Sequence, residues 1–308
     1  MDINLHIGQF VSRLVDYMTT HFQPFFDGVA AAISFISNGI THILQGTPLL
    51  LMAAILVALA WWRVSWRFAI FTIIALFVIV GMHLWDQTMS TLALVIASTI
   101  VALGLGIPTG ILMAKKDLAA GIIRPVLDFM QTLPAFVYLI PAAMFFGLGT
   151  VPGTIATVIF AMPPAVRLTN LGIRQVNTEN VEAGLAFGCT SRQLLFKVQL
   201  PLAMPSIMAG INQTIMLALS MVVIASMIGA GGLGNTVLTG IQRLNVGLGF
   251  EGGLGVVILA IILDRITQSF GQTRGGPKSP FSLLKRLFAG ADGSTSAQSE
   301  SREQPRKT

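Results

Sequence analysis

Apolar residues run through this chain in long blocks, and charge falls between the blocks. Between Asp86 and Lys115 lie 28 uncharged residues, between Asp128 and Arg167 lie 38, and between Lys197 and Arg243 lie 45. A hydrocarbon core of about 30 Å needs about 20 helical residues, so such runs read as membrane-spanning helices. The pattern predicts an all-α, polytopic membrane protein with about seven spans, over 48–62, 68–85, 88–114, 125–146, 151–166, 203–228 and 254–263. The last has only 12 uncharged residues between Glu251 and Asp264, so it must extend past one of those acids. Residues 147–153 (GLGTVPG) form a tight turn between two spans, punctuated by Gly and Pro.

Ahead of the spans the pattern changes. Val29, Ile33, Ile36, Ile40 and Ile43 recur at helical spacing, with Ser34, Ser37, Asn38, Thr41 and Gln45 on the opposite face. That is an amphipathic helix lying on a membrane surface or against the bundle, with a single irregular span as the rival reading. Phe10, Leu14 and Met18, opposite Ser12, Arg13 and Asp16, predict a second such helix, and Pro24 separates the two. The expected organisation is an amphipathic region (1–46), two accessory transmembrane helices (47–86), a transport domain (87–270) with a cytoplasmic loop at 170–201, and a flexible tail (271–308). The apolar patch at 281–288, beside Lys285 and Arg286, is placed to rest on anionic lipid.

Composition sharpens the picture. Hydrophobic residues make up 54% and charged residues 10%, with a mean hydropathy of +0.77; soluble domains carry roughly 25% charged residues, which excludes a soluble enzyme. If 63–67 faces the cytoplasm, 17 of the 19 Lys and Arg residues do too, leaving Arg13 and Arg243 outside. This asymmetry places the N-terminus out and the C-terminus in, with Trp61, Trp62 and Trp66 as a cytoplasmic aromatic belt and Trp85 at the outer interface. The net charge of +6 therefore serves topology and anionic lipid, and implies no nucleic-acid partner. A lone cysteine, Cys189, excludes a disulfide framework and a thiolate metal site. The start lacks a basic segment followed by an apolar core, so no cleaved signal peptide is expected. His6, His21, His42 and His83 are scattered, and no catalytic constellation lies within the spans.

One loop carries chemistry. Some 35 residues from Arg167 to Pro201 separate two spans. Asn177 or Thr178 can cap a helix whose first turns hold Glu179 and Glu182, acids that complement its dipole. Gly188 stands where a left-handed C-terminal cap falls, and Thr190-x-x-Gln193 is a capping box opening a second helix that runs toward Pro201. Two short helices with a sharp glycine turn, outside the membrane, need something to pack against.

Glu182-Ala183-Gly184, then Gly188, then Val198-Gln199-Leu200-Pro201 resembles the EAA loop of ABC importer permeases, with Gly184 in place of an alanine. The segments RPVLDFMQTLPAFVYLIPAAMFFGLGTVPG, FKVQLPLAMPSIMAGINQTIMLALSMVVIASMIGAGGLG and VVILAIILDRIT resemble permeases of glycine betaine/proline betaine uptake systems, over roughly 46–268. The resemblance implies a coupling loop that docks in a groove of an ATPase, formed here by Glu182, Ala183, Gly184, Gly188, Ser191, Leu200 and Pro201. It also implies a pair of ATPase subunits carrying ATP and Mg, an extracytoplasmic substrate-binding protein, a second permease copy, and an inner-membrane location. This chain itself has no G-x-x-x-x-G-K-[ST] and needs no cofactor of its own. Glu182 can anchor the loop internally or meet a basic partner.

Polar residues inside spans mark candidates for a translocation path. Gln131 and Thr132 beside Pro134, with Tyr138, lie on one proline-broken helix; Asn212, Gln213 and Ser220 lie on another. Interhelical hydrogen bonding, or packing for Tyr138, is the competing reading. A choline importer of the same architecture and a stand-alone secondary transporter are the alternatives. Every charge lies near a predicted span end, which argues against proton coupling.

Overall fold

The structure, a computed structural model, describes residues 7–271. The expected tail, with its patch at 281–288, lies outside the described residues, as do the side chains of Phe10 and Leu14. The elements are helical and no strand occurs among the described residues.

The N-terminal part forms α1 (Ile7–His21) and α2 (Gln23–Gly46), broken at Phe22, with Pro24 in the first turn of α2. Proline lacks an N–H and fits a first turn, which is why the helix restarts there. The buried stripe of α2 differs from the expected one: Ile33, Ser37 and Leu44 are buried, whereas Ile43 is exposed. Ser37 is small enough to sit in the contact with the bundle, and its carbonyl accepts a bond from Thr41 Oγ1 at 2.8 Å. The interface is therefore set by side-chain size as much as by polarity.

Next come α3 (Leu49–Arg63) and α4 (Trp66–Gly81), a hairpin in which Ser65 caps α4 by accepting from Phe68 N at 3.2 Å. At 1.5 Å per residue each is about 23 Å long, short of a hydrocarbon core. By length and apolarity four helices cross a membrane alone: α5 (Trp85–Lys115), α8 (Thr150–Arg174), the continuous helix Ser191–Ser226, and α13 (Val246–Gly271). Two further pairs qualify only when joined, α2 with α3, bent by 104°, and α6 (Asp117–Thr132) with the segment Ala135–Phe146, bent by 108°. Four to six spans thus qualify by length and apolarity among the described residues, with α4 a shorter apolar helix beside them. The last span extends past both Glu251 and Asp264.

The segment expected as one proline-broken helix is a sharp corner. Leu133 is extended (φ −70°, ψ 135°) before Pro134, as the proline ring demands of its predecessor. A 3₁₀ turn (Ala135–Tyr138) and the short α7 (Leu139–Phe146) follow. α12 (Gly232–Gln242), absent from the expected elements, packs between α11, α5 and α13.

The core is the contact of α5, α8 and α11 (Leu200–Ser226). Small residues bring these helices together: Gly106 and Gly110 on α5 meet a face of α8 formed by Met162, Ala165, Val166 and Thr169. A Cβ at Gly110 would stand 2.6 Å from the Val166 carbonyl oxygen and 2.7 Å from Thr169 Cβ, so only glycine allows this crossing. Several buried hydroxyls are satisfied locally. Thr88, Ser98 and Thr157 each donate 2.7 Å bonds to the carbonyl four residues earlier, which removes most of the cost of burying them.

Candidate functional site

The loop between α8 and α11 is built as a self-braced knob. Asn177 Oδ1 accepts from Glu179 N at 3.1 Å and starts α9 (Thr178–Ala186). The helix ends in a Schellman motif: Gly188 N donates to Leu185 O at 2.9 Å and Cys189 N to Gly184 O at 3.0 Å, with Gly188 at φ +78°. Thr190 then forms both halves of a capping box with Gln193, opening α10 (Ser191–Gln193). A π-helical stretch (Leu194–Gln199) carries the chain into α11, where Pro201 is the second residue. The loop's second half therefore does not end at Pro201. It continues without a break into the span, because the wider π turn, with Leu200 N bonded to Leu195 O, makes room ahead of a residue that has no N–H.

The knob is also shorter than the charge pattern suggested. α8 continues to Arg174, because its cations are paired instead of marking the helix end. Arg167 Nη2 donates to Asp128 Oδ1 and Arg174 Nη2 to Asp117 Oδ1, each at 2.6 Å. Arg174 also bonds Met113 O at 2.7 Å and Asn170 Oδ1 at 3.0 Å. Both carboxylates belong to α6, so α6 is tied to the stalk of the knob at two points along its length. The carboxylates are largely exposed and such pairs contribute about 0–1 kcal/mol; their role is positional.

The structure divides the expected coupling residues into two sets. Glu182, Ala183, Gly188 and Ser191 are exposed on the knob, and Glu182 makes no hydrogen bond or ion pair within the described residues. Gly184 is buried and faces inward: a Cβ there would lie 2.8 Å from Leu194 Cδ1, so its small size lets α9 close on the second half of the knob. Leu200 packs with Leu195, Ala203 and Ile207 beneath the knob, and Pro201 is exposed beside it. Sequence reasoning missed the apolar tip. Phe187 is 90% exposed, and Leu185 and Phe196 are exposed as well. A shallow cleft of about 470 Å³ beside Phe196 is lined by Thr190, Arg192, Gln193 and Lys197. Exposed aromatic and aliphatic surface next to cations is the composition of an interface core with a polar rim.

The expected path residues are not gathered in one place. Tyr138 is buried, and its hydroxyl donates to Met130 O at 2.5 Å while its ring packs near Met221. Gln131 and Thr132 end α6 and are exposed, with Thr132 Oγ1 bonded to its own helix at Phe129 O. Gln213 and Ser220 are exposed on α11, Ser220 Oγ bonding Met216 O at 3.0 Å. Asn212 is half-buried and its Oδ1 is enclosed without a partner, as is Thr214 Oγ1. The glycine run 229–234 is a packed corner: Leu233 is fully buried and its N–H donates to Thr91 Oγ1 at 2.8 Å. No group of metal-ligating side chains occurs among the described residues.

Residues 106–273 match the family described as "Binding-protein-dependent transport system inner membrane component". The chain is 50% identical over 92% of its length to the glycine betaine/proline betaine transport system permease protein ProW of Escherichia coli, covering 82% of that protein. It is 50% identical over 85% of its length to the glycine betaine transport system permease protein OpuAB of Bacillus subtilis, covering 93% of it. The choline transport system permease protein OpuBB of Bacillus subtilis is 31% identical over 60% of this chain and 86% of its own. Among solved structures, an inward-facing MetNI methionine ABC transporter superposes with a TM-score of 0.52 at 21% identity, over 59% of this chain and 89% of that one; it shares the fold.

Proposed function

This chain belongs to the family of binding-protein-dependent transport system inner membrane components, and we propose that it is the permease subunit of an ATP-driven importer of glycine betaine and proline betaine. It is a multi-pass inner-membrane protein and a component of a transport system. The knob carries the reading of how it works: a capped, internally braced loop ends in an almost fully exposed Phe187, beside an unpaired Glu182. An apolar tip held this rigidly outside the spans is suited to a preformed groove on another chain, and we assign that chain as the ATPase. ATP and Mg belong to the ATPase, and this chain supplies neither.

The substrate reading rests on the relatives. Those at 50% identity are named for glycine betaine, and the choline relative stands at 31%. A quaternary ammonium zwitterion needs polar groups along its way that neither trap it nor leave it bare in hydrocarbon. Asn212, with its enclosed and unpartnered Oδ1, is the path residue we favour. Tyr138 we assign to packing, because its hydroxyl is already spent on Met130.

In the mechanism we propose, two permease copies present two knobs to an ATPase pair. ATP binding closes the ATPases and draws the knobs together, which opens the permease pair outward to receive substrate from a binding protein. Hydrolysis resets it inward. The N-terminus lies outside and the C-terminus inside. α6 follows each knob through Asp117 and Asp128. The test is uptake into proteoliposomes holding this chain and its ATPase, with binding protein present. Accumulation of labelled glycine betaine that requires both ATP and binding protein is the expected result. Choline accumulation alone would move the protein to the choline branch, and flux without ATP would overturn the coupling assignment.

A further inference from the structure

At the end of the molecule opposite the knob, α12 and α13 form a second protruding hairpin. The continuous helix Ser191–Ser226 leads away from the knob, and α12 rises from its far end. Leu233, at the base of α12, packs against Leu84, Ile258 and Ile262. Higher up, the two backbones touch: a Cβ on Gly240 would lie 2.5 Å from Gly249 Cα. Glu251 and Ser269 lie 18 positions apart on α13, about 27 Å of helix, which approaches the thickness of the hydrocarbon core, with Asp264 and Arg265 within five residues of its far end. Val246 and the turn before it therefore stand outside the membrane.

The turn at the tip repeats the cap of the knob with one substitution. Leu244 N donates to Ile241 O at 3.2 Å and Asn245 N to Gly240 O at 2.8 Å, again a Schellman motif. Where the knob has Gly188, the tip has Leu244, held at φ +52°. Glycine is the residue this position favours, because a Cβ is crowded in the left-handed conformation. Asn245 Oδ1 accepts from Leu248 N at 3.1 Å and so caps α13, which fixes the turn from its other side. The strained leucine gains nothing within the chain, since it is 89% exposed. Val246 (85%) and Ile241 (61%) flank it, and Arg243 is exposed at its side. Backbone strain that persists under a rigid, doubly capped turn, and that holds an apolar side chain out into water, marks a contact with another molecule.

We propose that the tip Ile241–Val246 is the docking knob for the extracytoplasmic binding protein, with Leu244 seated in an apolar recess of that protein and Arg243 facing carboxylates on its rim. The proposal rests on the importer reading, which requires such a protein and puts this end of the molecule on its side of the membrane. Gln242, Arg243 and Asn245 interleave the apolar side chains, a mixture suited to a protein surface and unsuited to hydrocarbon.

Leu244→Gly provides the test, because it removes the side chain and relieves the backbone at once, so a loss of binding cannot come from a loss of fold. The transporter, assembled with its ATPase in lipid nanodiscs, would be titrated with betaine-loaded binding protein. Leu244→Gly is expected to weaken binding at least tenfold and abolish stimulation of ATP hydrolysis, with assembly and thermal stability retained. Arg243→Glu is expected to weaken binding and flatten its salt dependence. Wild-type affinity in Leu244→Gly would overturn the proposal while leaving the importer reading intact. Unchanged affinity with weaker retention in anionic vesicles would assign the tip to lipid and equally overturn it. No stimulation in the wild-type transporter would overturn the importer reading, and the proposal with it.

Discussion

The hydroxyl of Tyr138 lies 2.5 Å from the carbonyl oxygen of Met130, eight residues earlier, and this bond closes the 108° corner between α6 and the segment leading into α7. Met130 lies in the last turn of α6, where carbonyls lose their helical partners, and the tyrosine supplies one. The ring then wedges against Leu139, Ala142 and Met221. Tyr138 is a corner brace.

Tyr138→Phe is accordingly expected to keep the ring and lose the bond, destabilising the protein by about 1 kcal/mol as a half-buried carbonyl goes unpaired. Thermal unfolding of the purified permease checks this. Uptake should show a lower maximal rate with an unchanged KM for substrate; a raised KM would return the residue to the path.

Gly188→Val should cost about 1–2 kcal/mol for a β-branched residue in the left-handed region and break the Schellman cap. Membrane insertion should be normal, while co-purification of the ATPase and ATP-driven uptake fail. Gly188→Asn, which tolerates that conformation better, should recover most of both.

Phe187→Ala removes the most exposed aromatic of the knob and leaves its caps untouched. Buried aromatic anchors at interfaces commonly carry 2 kcal/mol or more, so affinity for the ATPase should fall by roughly thirtyfold. Thermal stability of the permease alone should not fall, since no internal contact depends on the ring.

The Arg174–Asp117 pair is tested by exchange. Arg174→Asp and Asp117→Arg should each lower uptake, and the double exchange should restore part of it, with a coupling energy of about 1 kcal/mol or less because Asp117 is well exposed. No recovery would indicate that Arg174 acts through Met113 O and Asn170 instead.

The knob was readable residue by residue because capping is local chemistry. Asn177, Gly188, Thr190 and Gln193 announce their roles within four positions of the groups they bond. Helix ends in the spans were not readable in that way. A charge does not end a helix when a partner on another helix receives it, and Arg167 is met by Asp128, 39 residues away. The buried face of α2 was misassigned because polarity ranked Ser37 as outward while its size suited a close contact. α12 was hidden by the glycines around it, with Leu233, Val237 and Ile241 at helical spacing its one trace in sequence. The inward role of Gly184 depends on Leu194, a neighbour only once the knob has closed. The residues expected along a path scatter because polarity alone does not say which face of a helix a residue occupies or whether its bonds stay within that helix, as those of Thr132 and Ser220 do.

The helix from Ser191 to Ser226 is 36 residues long and joins the knob to the glycine corner at 229–234 without a loop. It is a strut of about 54 Å, and a tilt of about 10° imposed at one end carries the other through about 9 Å. Such a displacement is on the scale of a small zwitterion. In the cycle proposed above, work delivered at the knob would become a displacement of that size at the far end of the strut, with no chain of rearranging side chains between them. The π-helical turn sits near the driven end, where a soft joint loses least of the stroke.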